Sequence, residues 1–173
     1  MAEPSKASNA DSSEGKSLTA MWSHIERIAD CMLVTHDGVD LRARPMRGIA
    51  KRDDNAIWFV TSKATQKDAE VTQNPGACLC YADKVGNTYL SLSGRVETTD
   101  DKMQIRELWN AGADAYFPKG QGDPNVVLLR FAPEFGEYWD APSNPVVLAI
   151  QFIKAKVTGT KPALGENRKV AMA

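Results

Sequence analysis

Groups that ligate metals or take up protons near neutrality are scarce in this chain. Its 173 residues include only two histidines, His24 and His36, and three cysteines, Cys31, Cys78 and Cys80. An odd number of thiols in a chain too large to depend on disulfides points to a reducing compartment, and the cytoplasm is the expected location. A four-ligand zinc site lacks its imidazoles: Cys78-Leu79-Cys80 puts two sulfurs on one strand face, no further ligand pattern follows, and core thiols are the expected reading. Neither histidine has the spacing of a Ser-His-Asp or Cys-His pairing. Charge of one sign is also lacking, with 21 Lys and Arg against 22 Asp and Glu, so the chain as a whole is not marked as a binder of nucleic acid or acidic membranes. The most apolar run late in the chain, Val146 to Ile150, is far short of the roughly 20 residues that span a bilayer. No secretory or transit signal is expected, because residues 1–16 have no apolar stretch and carry Glu3, Asp11 and Glu14. The absence of a G-x-G-x-x-G or Walker A pattern argues against a dinucleotide or P-loop fold.

What is present reads as strands. Residues 1–16 are rich in Ser, Ala and charge and are expected to form a disordered tail. Leu18, Met21, Trp22, Ile25, Ile28 and Ala29 recur at three and four, which predicts one helix with a buried face, capped by Ser17. Strands are predicted at Cys31 to Thr35, Leu41 to Ala50 and Ala56 to Thr61, joined by tight turns as an antiparallel meander. A polar helix over Ser62 to Gln73 is followed by strands at Ala77 to Ala82 and Thr88 to Thr98, with Gly94 marking a bulge or barrel bend. A helix from Asp100 to Trp109, an irregular stretch from Ala111 to Asp123, and strands at Val126 to Ala132 and Phe135 to Asp140 complete the set. Pro145 opens a last helix to about Lys156. The prediction is mainly β: one domain over 17–158, a small barrel of six to seven antiparallel strands with inserted helices, and a loose basic tail over 159–173.

Three places can carry chemistry. Alternation puts Arg42, Arg44 and Met46 on one strand face, either a solvated surface or an anion site, and Pro45 implies an edge or break there. Thr61, Ser62, Lys63 and Lys67 stand at a strand-to-helix junction, where helix N–H groups, a hydroxyl and an ammonium can hold a phosphate; ordinary polar capping explains the same residues. Trp139, in Glu137-Tyr138-Trp139-Asp140, is either a stacking wall for a flat ring or core like Trp22 and Trp109.

In order along the chain, Arg44-Pro45-Met46, Ile57 to Ser62 with Lys67, Asn74-Pro75, Ser93-Gly94-Arg95-Val96 and Glu137 to Asp140 resemble the FMN-binding split-barrel proteins. The chain looks most like the general stress protein branch of the pyridoxamine 5′-phosphate oxidase-like family, over about residues 17 to 158. The resemblance implies a split β-barrel and a homodimer with FMN, or alternatively FAD, in clefts between subunits. It implies flavin contacts at Arg44, Pro45 and Met46 beside the ring, at Phe59, Val60 and Thr61 along the next strand, and at Ser62 and Lys67 on the phosphate. Tyr89 stands where pyridoxamine phosphate oxidases use a glutamine from the partner subunit, and Trp139 falls where the family places a tryptophan against the flavin.

A cation such as Arg44 at the N1–O2 edge would favour the reduced ring, where negative charge collects. The oxidase's Arg-x-His after the tryptophan is absent, since the chain reads Asp140-Ala141-Pro142, so vitamin-B6 oxidation is not expected. The resemblance implies a flavin-dependent oxidoreductase or flavin-reductase-like protein acting in a stress response, with no catalytic acid or base identified and no metal. A non-enzymatic flavin carrier or sensor, and a related barrel using deazaflavin or haem, are the alternatives.

Overall fold

A computed structural model describes residues 6–63, 74–141, 149–151, 154–156, 159, 161 and 165–173. The elements are helix α1 (Lys6–Ile28), strands β1 (Asp30–His36), β2 (Leu41–Arg47), β3 (Ile49–Lys51), β4 (Ala56–Ser62), β5 (Gly76–Asp83) and β6 (Thr88–Thr99), helices α2 (Lys102–Leu108) and α3 (Ala111–Tyr116), and strands β7 (Val126–Asp140) and β8 (Glu166–Ala171). The predicted polar helix lies mostly, and the start of the predicted last helix wholly, outside the described residues; 149–151 and 154–156 are helical.

All strand pairs are antiparallel, and the sheet runs β2-β1-β5-β6-β7-β4-β3 with β8 added to β7. Its two outer strands, β2 and β3, are consecutive in the chain and joined at Gly48, so the sheet curls until its edges meet there: a split barrel. The expected single strand from Leu41 to Ala50 is therefore two. Leu41–Arg47 pairs with β1 and Ile49–Lys51 with β4, so the expected meander is broken. Glycine at the break has a steric reason: a Cβ there would stand 2.8 Å from Ile57 Cγ2 and 3.3 Å from a ring carbon of Phe59.

Inward residues alternate as a barrel requires. Leu33, Leu79, Tyr81, Leu90, Leu92, Ile57, Phe59, Leu129 and Phe131 are buried together with Met21, Trp22 and Ile25 of α1, the predicted helical face, which closes one end. Each such side chain contributes about 1.5–3 kcal/mol of burial. A second cluster, Trp58, Val126 and Leu128 under Ile105 and Leu108, seats α2 on the outside of β4 and β7. Asp101 caps α2 by accepting from the Met103 and Gln104 N–H groups.

Three expectations are corrected. The helix begins at Lys6 rather than after Ser17, because extending a helix already anchored by burial adds one bond per residue without a new nucleus. Ser17 is thus not a cap; it is buried, and its hydroxyl accepts from Arg168 at 3.5 Å. The tail over 159–173 is not loose throughout: β8 lies within it, and Val170 and Met172 are buried. Met172 reaches the Gly136 site beside Met21 and Leu92, where a Cβ would stand 2.6 Å from Met21 Cε, 2.9 Å from Leu92 Cδ2 and 3.0 Å from Met172 Sδ. The two predicted late strands are one, β7, whose pairing with β6 continues through a bulge opposite Gly94: the register steps from Ser93↔Phe135 to Gly94↔Pro133 and leaves Glu134 of β7 as the extra residue.

A Cβ at Gly94 would lie inside the contact radius of the Ala132 carbonyl oxygen, which is backbone and cannot swing aside. Gly94→Ala is expected to cost about 1–3 kcal/mol, read as a lower urea midpoint; unchanged stability would show that the bulge does not need glycine.

Candidate functional site

Ile49 pairs with Trp58, and β3 covers β4 only over Ala56–Trp58. Continued backward, that register would set Arg47 opposite Val60 and Pro45 opposite Ser62. Instead β2 turns away at Gly48 to follow β1, and the two strands diverge as the lips of the split. One lip carries Arg44, Pro45 and Met46; the other carries Phe59, Val60, Thr61 and Ser62. These seven predicted site residues thus lie on the two strands that part at Gly48.

Within the lips the side chains divide by parity. Arg44 and Met46 are register partners of Leu33 and Cys31 and face the barrel side, as the alternation predicted, whereas Pro45 is exposed. Arg44 donates to Thr35 Oγ1 at 2.8 Å, and Thr35 is buried on β1, so the guanidinium is held at the mouth of the split. Sequence reasoning missed Thr35; its alternation with Leu33 was the signal that it faces the same way. Arg42 is bound elsewhere, to Asp37 at 3.0 Å, and backbone N–H groups of Asp40 and Val39 together with Arg42 hold the Asp37 carboxyl well below the usual range. Phe59 and Thr61 are buried, and Val60 packs toward α2. Lys63 is committed to Asp100 at 2.9 Å, which lowers that carboxyl's pKa. Lys67 lies outside the described residues.

Tyr89 and Trp139 are elsewhere. They are register partners on β6 and β7, on the outer face, with 43% and 39% of their surfaces exposed. The core reading of Trp139 is therefore overturned, while Trp22 is buried as expected. In the sheet Tyr89 is separated from β2 by β5 and β1, about 14 Å at ordinary strand spacing. Trp139 lies at the far end of β7 from the segment that pairs with β4. Within one chain the predicted contacts thus form two groups, a split and an aromatic pair.

The end of the sheet bearing that pair is pinned. Thr88 Oγ1, buried, donates to Asp140 Oδ1 at 2.9 Å, and His24 Nε2 of α1 stands 3.9 Å from Asp140 Oδ2. Burial lowers the His24 pKa; Asp140 opposes this and Arg27, 3.2 Å from His24 Nδ1, adds to it. Arg27 is in turn paired with Asp83. His36 accepts from the Gly38 N–H in the β1–β2 turn, at 2.9 Å.

The cysteines divide too. Cys31 is buried, and burial raises its thiol to about 12. Cys78 and Cys80 are not core thiols: Leu79 between them takes the inward position, so both face out, Cys78 partly covered and Cys80 exposed. Among the described residues no group of three or more His, Cys, Asp or Glu gathers as a metal site.

Comparison with known proteins gives a consistent picture. The family model for "Pyridoxamine 5′-phosphate oxidase like" proteins matches residues 16–163. No curated protein matches the chain. Among solved structures, a candidate general stress protein 26 from Jannaschia sp. CCS1 is 31% identical over 91% of this chain and 99% of its own, with a TM-score of 0.75. The general stress FMN/FAD binding protein of Xanthomonas citri is 30% identical over 72% of this chain and 89% of its own, TM-score 0.65. A protein of Clostridium acetobutylicum related to general stress protein 26 is 25% identical over 72% and 89%, TM-score 0.64.

Because burial lowers the His24 pKa below its unfolded value of 6.5, the unfolded chain binds more protons in the window just below that value. Stability is expected to fall as pH drops through that window. Melting temperatures between pH 5 and pH 7.5 should show His24→Gln with a flatter profile than wild type; parallel profiles would remove His24 from the linkage.

Proposed function

The chain belongs to the pyridoxamine 5′-phosphate oxidase-like family, and we propose that it is an FMN-binding, flavin-dependent oxidoreductase with a stress-response role, working as a homodimer. One observation carries this reading: the predicted contacts form two incomplete halves in one chain, the split and the outward Tyr89–Trp139 pair. A symmetric pair would set the aromatic wall of one protomer against the split of the other, giving two equivalent sites.

The residues suit a flavin. The phosphate would meet Ser62 and Lys67, and the ring would lie along β4 with Arg44 at its polar edge, oriented by Thr35. The bound flavin would supply hydride or electron transfer; the residues around it bind, orient and exclude water. Relatives described as general stress and FMN/FAD binding proteins support both the cofactor and the stress role. With no Arg-x-His after Trp139, the residues do not support oxidation of a B6 phosphate. Three unpaired thiols suit the reducing cytoplasm, and among the described residues no helix is long and apolar enough to cross a membrane.

Pairing also has an apolar surface to cover. The outer face of β2, β1, β5, β6 and β7 exposes Pro45, Met32 (38%), Tyr89, Phe135 (41%) and Trp139, the kind of exposed apolar side chains that an interface covers.

The protein is expected to retain yellow FMN absorbance through gel filtration and to elute as a dimer. Arg44→Ala and Lys67→Ala should each weaken FMN binding about 10- to 100-fold, the scale of a charge-assisted bond. Retention unchanged in both would overturn the site. Phe135→Glu, remote from the split, should lose dimer and flavin together; a monomer that keeps flavin would overturn the shared site. Bleaching of the bound flavin by NADH or NADPH with steady turnover supports the oxidoreductase, and its absence supports a carrier or sensor.

A further inference from the structure

Tyr89 and Trp139 stand on the last rung but one of the β6–β7 ladder; the last is Thr88↔Asp140. Ladders open most easily at their ends, where a residue is held from one direction only. Beyond this rung β6 gives way to Asn87, whose φ of 54° is left-handed. Among the described residues one more backbone bond crosses there, from the Ala141 N–H to the Asn87 carbonyl at 3.3 Å. Backbone pairing alone would leave the aromatic pair on the loosest part of the two strands.

Side chains close that end. By alternation Thr88 and Asp140 take the barrel side while their neighbours Tyr89 and Trp139 face out. The Thr88 hydroxyl has one proton and two oxygens in reach, Asp140 Oδ1 at 2.9 Å and the Gly86 carbonyl at 3.3 Å. The nearer acceptor is also the charged one, and a bond to an ionised acceptor is roughly twice as strong as a neutral one. Thr88 is buried, which shields this bond from water, whereas Asp140 is half exposed. The other carboxylate oxygen is turned to α1: Oδ2 stands 3.9 Å from His24 Nε2, and the His24 ring lies 5.5 Å from that of Tyr138. One carboxylate, next to Trp139 in the chain, thus links β7 to β6 and to α1.

We propose that Thr88 and Asp140 are positioning residues for flavin binding: their bond holds Trp139 in the orientation that meets the flavin of the partner protomer. The inference rests on the shared site proposed above. Neither residue touches the flavin; both act through Trp139. A flat side chain stacks well only on a fixed strand, because a wall loose by about 1 Å loses its overlap with the ring.

The test is a fluorescence titration of the flavin-free, full-length protein with FMN. It reads the affinity and, at saturation, the FMN emission, which an indole stacked on the ring quenches. Thr88→Val, which keeps the shape and removes the donor, and Asp140→Ala should each weaken FMN binding about tenfold, the scale of one hydrogen bond to a charged group. Both should raise the emission at saturation. Thr88→Ser and Asp140→Asn keep donor and acceptor and should restore both readouts. In a Trp139→Leu background, Thr88→Val should weaken binding by less than about twofold more, because the residue it acts through is gone.

Three results overturn the proposal: wild-type affinity and emission in Thr88→Val and Asp140→Ala, no rescue by the conservative variants, or the full loss from Thr88→Val in the Trp139→Leu background. Trp139→Leu alone separates the proposal from the reading beneath it. If it weakens binding and raises the emission, the shared site stands whatever the positioning variants do. If it binds as wild type does, Trp139 is no flavin contact and both fall. Asp140 is half exposed, so its two variants carry the comparison should Thr88→Val fail to fold.

Discussion

The single turn at Gly48 is the constraint on which the architecture depends. A sheet whose outermost strands are covalently consecutive cannot stay flat, so it closes on itself. It cannot close completely either, because β2 is bound along its length to β1 while β3 is bound to β4. The two demands are met by a sharp departure between Arg47 and Ile49, where a side chain would strike Ile57 and Phe59. The split that results is where β2, carrying Arg44, parts from β4, carrying Ser62. Gly94 does the complementary work across the barrel, letting β6 and the long β7 bend together at the one place where their register slips.

Closure fixes what each strand shows on its two sides. Inside, strict alternation fills the barrel from β1, β4, β5, β6 and β7 and leaves one end for α1 to plug with Met21, Trp22 and Ile25. Outside, one side is covered by α2, and the other carries Met32, Tyr89, Phe135 and Trp139 in contact with water. The same parity that buries Leu79 turns Cys78 and Cys80 outward, so the exposed face is apolar, aromatic and sulfur-bearing at once. In the proposed pairing, a second protomer on this face would hide these apolar side chains and complete the proposed flavin site.

Electrostatics around the split follow from partners already present. Arg42 is held by Asp37 and Lys63 by Asp100, and Arg44 donates to the hydroxyl of Thr35. At the other end, Thr88, Asp140 and His24 tie the ends of β6 and β7 to α1, so the aromatic pair stands on a braced corner of the sheet.

Much of this was readable along the chain. Period-two alternation named the faces of β2 and β6, the three-and-four spacing named the buried side of α1, and Gly94 announced the bulge, because each of these signals is local. The ordered residues Arg44 to Met46, Phe59 to Ser62 and Trp139 pointed to their family for the same reason. Partnership was not local. That Leu41 to Ala50 divides between two neighbours, that the last residues add β8 beneath α1, that Ser17 meets Arg168 and that Thr35 holds Arg44 depend on strands distant in sequence competing for the same edges. The amino-acid sequence by itself determined most of the strand positions, their inward residues and the family to which the chain belongs. Only the tertiary structure decided which groups share an opening and which are left on an outer face, because that choice is made by sheet closure, a property of all the pairings together.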